Sequence, residues 1–354
     1  MGEEQSTSQY PLVRWYIDTR LLTSTNSSLP LLETLQAADQ ETVQRFIHIK
    51  DRHMSLASYL LKYLFIHRSC RIPWEKINIS RTPAPHKRPC FITPASLRQE
   101  TATGQPIPSI EFNVSHQASL VALAGTIIPA ANDNESPPRP DPSTTFTTPD
   151  PSSTPPIPQV GIDITCVNER RNSRSLAPSS REKFIEFVDI FAEVFSEREL
   201  DTIKSLRGMP QHLRSKGEAE EIEYGYRLFY TYWALKEAYI KMTGEALLAP
   251  WLRELEFTNV VALDPPPPQA GVGGQWNGPD TGIQTWLYGK KVEDVRIEVV
   301  AFEKDYLIAT AARGGAVGSS GSGLILQDIW QKLESIDIEK DIRPCATGLC
   351  RCLE

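Results

Sequence analysis

The sequence predicts an α+β protein built from two lobes. Alternating apolar and polar residues predict β-strands at residues 12–18 and 160–165. Apolar residues at helical spacing predict long helices over residues 51–68 and 224–243. Between these groups, residues 129–158 are rich in Pro, Ser, Thr and Asp and almost lack aliphatic side chains. Such a segment buries too little apolar surface to offset the entropy of ordering, so we interpret it as a flexible linker or inserted loop.

Length and charge restrict the classes of function. The chain has 354 residues, which is enough for two domains with their own cores. Its net charge of −7 and pI of about 5.6 argue against general binding to nucleic acid or to an anionic membrane. The polar N-terminus and the absence of a transmembrane-length apolar run predict a soluble, cytoplasmic protein, and the scattered first three of its six cysteines fit a reducing compartment.

The first lobe, residues 1–128, combines strands with one dominant helix. In the helix over residues 51–68, Leu, Tyr and Ile side chains form a broad apolar face, and Lys62 is expected at its solvated edge. A basic loop follows at residues 81–88, held extended by flanking prolines. The remaining predicted elements are short helices at 31–35 and 42–48 and strands at 77–79 and 120–124.

The second lobe, residues 159–313, opens with the strand at 160–165. Ser196 and Glu199 have the spacing of a capping box at the start of a helix. A helix at 184–195 precedes them, and two antiparallel strands at 295–300 and 306–312 end the lobe.

The tail, residues 314–354, begins with a Gly/Ser linker. We expect an amphipathic helix over residues 328–341, followed by the three thiols of Cys345, Cys350 and Cys352. Three thiols could bind a metal or be modified, but no histidine or fourth cysteine lies near them in the sequence to complete a zinc site. The sequence therefore favours an exposed, mobile tail.

One helical stretch carries charged residues at a spacing suited to chemistry. Within residues 233–241, Glu237 and Lys241 are four apart and share one helix face. The ordinary interpretation is a surface ion pair. Asp163 argues against it, since an Asp in a short apolar strand is costly to bury without a cation or a hydrogen-bond partner. Asp163 with Glu237 and Lys241 could hold Mg²⁺ and a pyrophosphate.

A third stretch, Phe112–His116, alternates into a predicted loop and completes an ordered set of motifs. The set Asn113–His116, Gly161–Asp163 and Trp233–Lys241 resembles the surfactin-type 4'-phosphopantetheinyl transferases, especially the broad-range enzymes of filamentous fungi. The resemblance spans roughly residues 12–313. It implies two similar α/β lobes that form an intramolecular pseudodimer, with the active site in the cleft between them and a monomeric chain.

The resemblance also implies the reaction. Enzymes of this family transfer 4'-phosphopantetheine from coenzyme A to a serine of an apo carrier protein and release adenosine 3',5'-bisphosphate. The implied partners are the acyl and peptidyl carrier domains of fatty-acid, polyketide and nonribosomal-peptide synthases and the related domain of an aminoadipate reductase. The implied metal is Mg²⁺, with Mn²⁺ as an alternative. We expect no nucleic-acid or membrane partner.

Roles for individual residues follow from the same resemblance. Asp163 and Glu237 would bind the metal, Glu237 would also act as general base, and Lys241 would neutralise the pyrophosphate. Lys236 is a weaker candidate for the phosphates. The expected coenzyme A contacts also include Asp163 and, in the first lobe, Ser55, Lys87, Arg88, Ser115 and His116.

The sequence departs from the family pattern at two positions. Thr165 stands where many relatives carry a second acid, so this residue offers only a neutral oxygen. Met54 stands where bacterial relatives often have Arg, which leaves Lys50, Arg52 and His53 as alternative phosphate contacts.

Two other functions compete with the transferase. A non-catalytic module of the same fold could sense coenzyme A or bind carrier proteins, but the presence of Asp163, Glu237 and Lys241 favours an enzyme. A different coenzyme-A-dependent acyltransferase would need a histidine or cysteine acyl-transfer site, and no such arrangement stands out.

Overall fold

The structure is a computed structural model that describes residues 10–25, 28–83, 88–93, 107–128, 157–168, 180–245, 249–267, 275–318 and 328–353. The described strands are β1 (Leu12–Asp18), β2 (Ile79–Arg81), β3 (Pro89–Phe91), β4 (Ser109–Gln117), β5 (Leu120–Ile128), β6 (Gln159–Cys166), β7 (Leu255–Thr258), β8 (Trp276–Asp280), β9 (Gln284–Leu287), β10 (Lys290–Lys291), β11 (Val295–Phe302), β12 (Tyr306–Arg313) and β13 (Trp330–Ser335). The described α-helices are α1 (Arg20–Thr25), α2 (Ala37–Gln44), α3 (Ile49–Cys70), α4 (Arg181–Asp189), α5 (Glu197–Ser205), α6 (Gln211–Arg214), α7 (Glu218–Thr243) and α8 (Arg343–Ala346).

Two four-stranded sheets organise the described residues, and the mixed α+β class is confirmed. The first has the order β13-β1-β5-β4 and the second β6-β12-β11-β8. Their neighbours pair antiparallel, except that β13 runs parallel to β1. Two smaller sheets have the orders β10-β9-β7 and β2-β3. None of the described helices is long and apolar enough to span a membrane.

Three apolar clusters define the layers. The first joins α3 to one face of the first sheet, and the second joins α7 to one face of the second sheet. The third lies between the sheets, where Leu12, Tyr16 and Ala122 meet Ile162 and Ile308. The central strands of each sheet therefore bury both faces, one against a long helix and the other against the opposite sheet.

Gly161 allows α7 to lie directly on β6. A Cβ atom added to Gly161 would lie 2.1 Å from the carbonyl oxygen of Ala238 and 2.4 Å from the backbone nitrogen of Met242. Real side chains do not tolerate such separations, so only glycine permits this approach. The close contact brings the C-terminal part of α7 beside the strand that carries Asp163.

The opposite side of α7 is held by a buried ion pair. The Lys236 ammonium lies 2.8 Å from Glu199 of α5, and the two side chains are 0% and 2% exposed. Lys236 also donates to the carbonyls of Leu252 and Leu255. Glu199 completes the predicted capping box with Ser196, which is confirmed. The expected contact between Lys236 and coenzyme A phosphates is wrong, because this ammonium is enclosed by acceptors of the core.

The turn between β4 and β5 corrects another expectation. The Phe112–His116 motif does not run into a loop; it lies within β4, which continues to Gln117. The two-residue turn that follows places Ala118 and Ser119 at φ of 48° and 71°. Glycine or asparagine usually occupies such a turn, and their absence hid the hairpin from the sequence.

The tail also differs from its prediction. Residues 328–341 form β13 and a π-helical turn at Ile338–Ile342, because β13 pairs with the otherwise open edge of β1. Ile336, Ile342 and Cys345 then join the core of the first sheet and α3. The expected exposed tail is therefore wrong for Ile336, Ile342 and Cys345, which are buried.

We predict that Gly161→Ala destabilises the protein, because the added methyl group forces α7 away from β6. Overpacking of this kind costs about 1–3 kcal/mol of the free energy of unfolding, and occasionally more. Chemical denaturation monitored by circular dichroism measures the change. Gly278→Ala in β8 is the matched control, since its added Cβ would meet no atom within 4 Å. Equal stability of the two variants would contradict the close packing of α7 on β6.

Candidate active site

Side chains of β4 join it to β6, the edge strand of the second sheet. Backbone N–H groups of Ile162, Ile164 and Cys166 donate to alternate side chains of β4, at 3.1 Å, 3.2 Å and 2.8 Å. The acceptors are Asn113 Oδ1, Ser115 Oγ and Gln117 Oε1. Alternate residues of a strand point to the same side, so these three side chains replace the ladder that a neighbouring strand would supply. The Asn-Val-Ser-His motif therefore fixes the sheets relative to each other.

The carboxylate of Asp163 lies at the centre of this seam and is almost fully buried. Lys241 donates to Oδ1 at 2.6 Å, and the Ser115 hydroxyl donates to the same oxygen at 3.2 Å. The Thr165 hydroxyl donates to Oδ2 at 2.8 Å. Lys241 also donates to Ser115 Oγ at 2.9 Å. The structure thus brings Ser115, Asp163 and Lys241 together, as the sequence predicted, and shows Thr165 orienting Asp163.

Glu237 lies one turn before Lys241 on α7 and is half-buried. Burial, and then the charge of Asp163, raise the pKa of this carboxyl to about 7, and the charge of Lys241 partly opposes both effects. Among the described residues no hydrogen-bond donor contacts the Glu237 carboxylate. Glu237 therefore lies near the carboxylate of Asp163, and its own oxygens can bind a cation or a proton.

This donor set fits Mg²⁺. Mg²⁺ takes one or two protein carboxylates and completes its shell with phosphate oxygens and water. Asp163 and Glu237 lie close enough for the charge of one to perturb the pKa of the other. Such mutual repulsion is the condition that a divalent cation relieves. Asp163 and Glu237 are therefore the residues that would hold the metal.

Basic side chains of the first lobe face the same region. The His116 pKa is lowered, first by desolvation and then by the ammonium charges of Lys241 and Lys62. Lys62 was expected at a solvated edge, but it is only 7% exposed, and its ammonium lies 3.8 Å from the centre of the Tyr59 ring. Burial lowers its pKa to about 8. Helical spacing on α3 alone did not reveal that Lys62 is buried. Ser55, on the same helix, is also buried.

Arg88 connects the first sheet to the second sheet and to α7. Its guanidinium donates to Glu111 at 2.6 Å and to the carbonyls of Val160 and Met242 at 3.0 Å and 3.1 Å. In this arrangement it ties β3 and β4 to the start of β6 and the end of α7. A contact between Arg88 and coenzyme A stays a prediction. Lys87 lies outside the described residues.

Contacts at the start of α3 reduce the number of residues that could contact phosphate in place of the Arg that bacterial relatives often carry where this chain has Met54. Both ring nitrogens of His53 have partners, Thr23 Oγ1 at 2.9 Å and the Ser28 carbonyl at 3.0 Å. Arg52 donates to the Phe46 carbonyl at 2.7 Å. Lys50 instead lines a cleft of about 510 Å³, together with Cys166 and Tyr306 of the second sheet. Of the three alternatives, Lys50 is therefore the one placed to reach a ligand.

Other residues of this cleft come from both sheets and from α3. Met54 and Ser119 line one side, where the Ser119 N–H donates to the Met54 sulfur at 3.2 Å. Cys166, at the end of β6, and Tyr306, at the start of β12, line the other. The Tyr306 hydroxyl donates to the Ala118 carbonyl at 2.6 Å, which links the β4–β5 turn to the second sheet.

Comparison with known proteins identifies the family of this chain. A family model for "4'-phosphopantetheinyl transferase, N-terminal" matches residues 23–128, and a model for the "4'-phosphopantetheinyl transferase superfamily" matches residues 159–311. The 4'-phosphopantetheinyl transferase A of Aspergillus fumigatus is 62% identical over 362 residues, covering 99% of each chain. The NpgA transferase of Emericella nidulans is 53% identical, covering 97% of this chain and 96% of its own.

A more distant relative shares part of the chain. The human L-aminoadipate-semialdehyde dehydrogenase-phosphopantetheinyl transferase is 26% identical over 246 residues, covering 69% of this chain and 60% of its own. The two fungal relatives match nearly end to end, and the two family models cover both halves of the site. This protein therefore belongs to the 4'-phosphopantetheinyl transferase superfamily.

Proposed function

We propose that this transferase uses Mg²⁺ to move 4'-phosphopantetheine from coenzyme A to a serine of acyl and peptidyl carrier domains. The observation that carries the proposal is the cluster in which Lys241 and Ser115 hold Asp163 beside the unpaired carboxylate of Glu237. A binding module without catalysis has no need for a half-buried carboxylate whose pKa is raised to about 7. The products would be a holo carrier and adenosine 3',5'-bisphosphate.

Coenzyme A would lie between two related lobes, each made of one four-stranded sheet and its long helix. Both lobes line the cleft that Lys50 faces, and the seam of β4 and β6 runs beside it. Lys50, Lys62 and His116 would contact phosphates from the side of the first lobe. The Lys62 ammonium is suited to this role because no described residue accepts a hydrogen bond from it, although burial of an unpaired cation is costly.

The residues of the second lobe divide the chemistry among them. Asp163 and Glu237 would bind Mg²⁺, which supplies charge stabilisation to the pyrophosphate oxygens when bound. Lys241 places an ammonium beside the leaving phosphate and neutralises the charge that develops on it. Glu237 accepts the proton of the acceptor serine, directly or through a water molecule. Ser115 and Thr165 keep the Asp163 carboxylate oriented through their hydroxyl groups.

We extend the proposal to the carrier domains that accept the group and to the oligomeric state and location of the protein. The human relative is named for an aminoadipate-semialdehyde dehydrogenase, and we propose the corresponding aminoadipate reductase as one acceptor beside the fatty-acid, polyketide and nonribosomal-peptide synthases. Carrier domains are usually acidic and this chain has a net charge of −7, so the docking face must be locally apolar or basic. We propose a monomer, because one chain supplies both sides of the cleft. We also propose that the protein is cytoplasmic.

We predict that Glu237→Gln and Asp163→Asn each lower the transfer rate about 100-fold or more, because each keeps the shape of the side chain but removes its charge. Intact mass spectrometry of an apo carrier domain, incubated with coenzyme A and Mg²⁺, measures the gain of one phosphopantetheine group.

Glu220→Gln, near the start of the same helix, is the matched control and should keep the wild-type rate. Full activity of Glu237→Gln would exclude Glu237 as an essential base. Absence of transfer to several unrelated carriers, with coenzyme A still bound, would favour the sensing module.

We predict that Lys62→Met raises KM for coenzyme A roughly tenfold or more, since it removes a charge-assisted contact to phosphate. The free energy of unfolding of the free protein should not fall, because the substitution also removes a buried ammonium from which no described residue accepts a hydrogen bond. Steady-state kinetics and chemical denaturation test the two parts. Lys332→Met, an exposed position on β13, is the control. An unchanged KM together with reduced stability would show that Lys62 is purely structural.

A further inference from the structure

Four potential metal ligands converge at a place that the transfer reaction does not use. They are His67 near the end of α3 and Cys345, Cys350 and Cys352 of the tail. Their ligand atoms all lie within 4.8 Å of one another. Sequence analysis missed the site because the fourth ligand, His67, is separated from Cys350 by 283 residues of the chain.

The sulfur–sulfur distance suits tetrahedral zinc. The sulfur atoms of Cys345 and Cys352 lie 3.7 Å apart, and the His67 Nε2 lies 3.1 Å from the Cys350 sulfur. Around a tetrahedral zinc with Zn–S of about 2.3 Å, neighbouring sulfur atoms are about 3.8 Å apart. Three thiolates with one imidazole are a common ligand set for structural zinc. The thiols would lose their protons to solvent as the metal binds.

The imidazole of His67 is already oriented for metal binding. Its Nδ1 lies 2.7 Å from the Ile72 carbonyl, an acceptor, so Nδ1 carries the proton and donates. Nε2 is then unprotonated and points towards the thiols. The ring packs edge-on against Trp74, which limits its rotation. A histidine whose second nitrogen donates to a backbone carbonyl is the usual outer shell of a zinc ligand.

The tail backbone is shaped to present the cysteines. Asp337 Oδ1 accepts from the N–H groups of Glu339 and Lys340 and so caps the π-helical turn. After α8, the Pro344 carbonyl accepts from the N–H of Cys350 at 3.0 Å and turns the chain back on itself. Arg68 of α3 donates to the Asp341 carbonyl at 3.1 Å. Hydrogen bonds to the backbone, within the tail and from α3, therefore position the three cysteines.

We propose that His67, Cys345, Cys350 and Cys352 form a structural zinc site that fastens the C-terminal tail to α3. The site stabilises the first lobe, because α3 forms the core of that lobe and carries Ser55 and Lys62. The site also fixes the segment that follows β13, a strand whose pairing with β1 is itself a long-range contact.

The first experiment uses the full chain, purified without chelators and with its affinity tag removed. Inductively coupled plasma mass spectrometry should find about one zinc per chain. The double variant Cys350→Ser with Cys352→Ser should lose it, and so should His67→Gln. Cys90→Ser on β3 is the control, because Cys90 lies outside the cluster, and it should keep the metal.

Cobalt substitution gives a second readout. Reduced wild-type protein loaded with Co²⁺ should show a thiolate-to-cobalt charge-transfer band and the intense visible bands of tetrahedral coordination, both absent from the double variant. Removing zinc with a chelator should lower the thermal midpoint of the wild type, and added Zn²⁺ should restore it. The double variant should show neither change.

Titration of reduced, metal-free wild-type protein with Zn²⁺ against a chromophoric chelator keeps the proposal testable if the variants do not fold. Failure to bind one equivalent of zinc would overturn the proposal. A Cys345–Cys352 disulfide in the freshly isolated protein, found by intact mass before and after reduction, would also overturn it, since those two sulfur atoms would no longer be available as thiolates.

Discussion

The buried carboxylate of Asp163 is the interaction on which the rest of the structure depends. Burying it is unfavourable unless donors replace water, and they come from three elements: Ser115 of β4, Thr165 of β6 and Lys241 of α7. Satisfying this one charge therefore fixes a strand of the first sheet, a strand of the second and the long helix relative to one another. The same contacts hold the chemical groups, so the fold and the site share one set of hydrogen bonds.

Close packing makes this arrangement possible. Lys241 reaches Asp163 because α7 lies against β6 at Gly161, where its backbone approaches the strand more closely than a methyl group allows. Glu237 is brought to the same place by the helical repeat, since residues four apart share a face. A glycine two residues before the aspartate is thus part of the site, although it offers no functional group.

Two lysines of α7 show why neighbours in sequence take different roles. Lys236 and Lys241 are five residues apart, which places them on largely opposite faces of a helix with 3.6 residues per turn. Lys241 faces Asp163, and Lys236 pairs with Glu199 in the core. A buried ion pair loses much of its Coulombic gain to desolvation, so the carbonyls of Leu252 and Leu255 around Lys236 matter as much as its charge.

Local patterns were sufficient to predict β1, α3 and α7, because their apolar periodicity reflects the face that each buries. The ordered motifs pointed to Asp163, Ser115 and Lys241, which the structure brings into contact, and their roles in the reaction stay a prediction. The failures are long-range. β13 forms because β1 needs a partner along its edge. His67 is distant from the three thiols in the sequence and comes close to them only in the folded chain. Lys62 is buried by tertiary contacts that helical spacing does not reveal.

Arg14 connects β1 to β13 and to β11, and so helps to hold the two large sheets together. Arg14 of β1 donates to the Gln331 carbonyl of β13 at 2.7 Å and pairs with the buried Glu298 of β11. Arg296 also contacts Glu298, at 3.3 Å, and binds Asp328, just before β13, at 2.7 Å. The strand from the tail therefore takes part in an ionic network that spans both sheets. Because removing one partner of such a network leaves a buried charge unpaired, the tail contributes to the alignment of the sheets as well as to the edge that it covers.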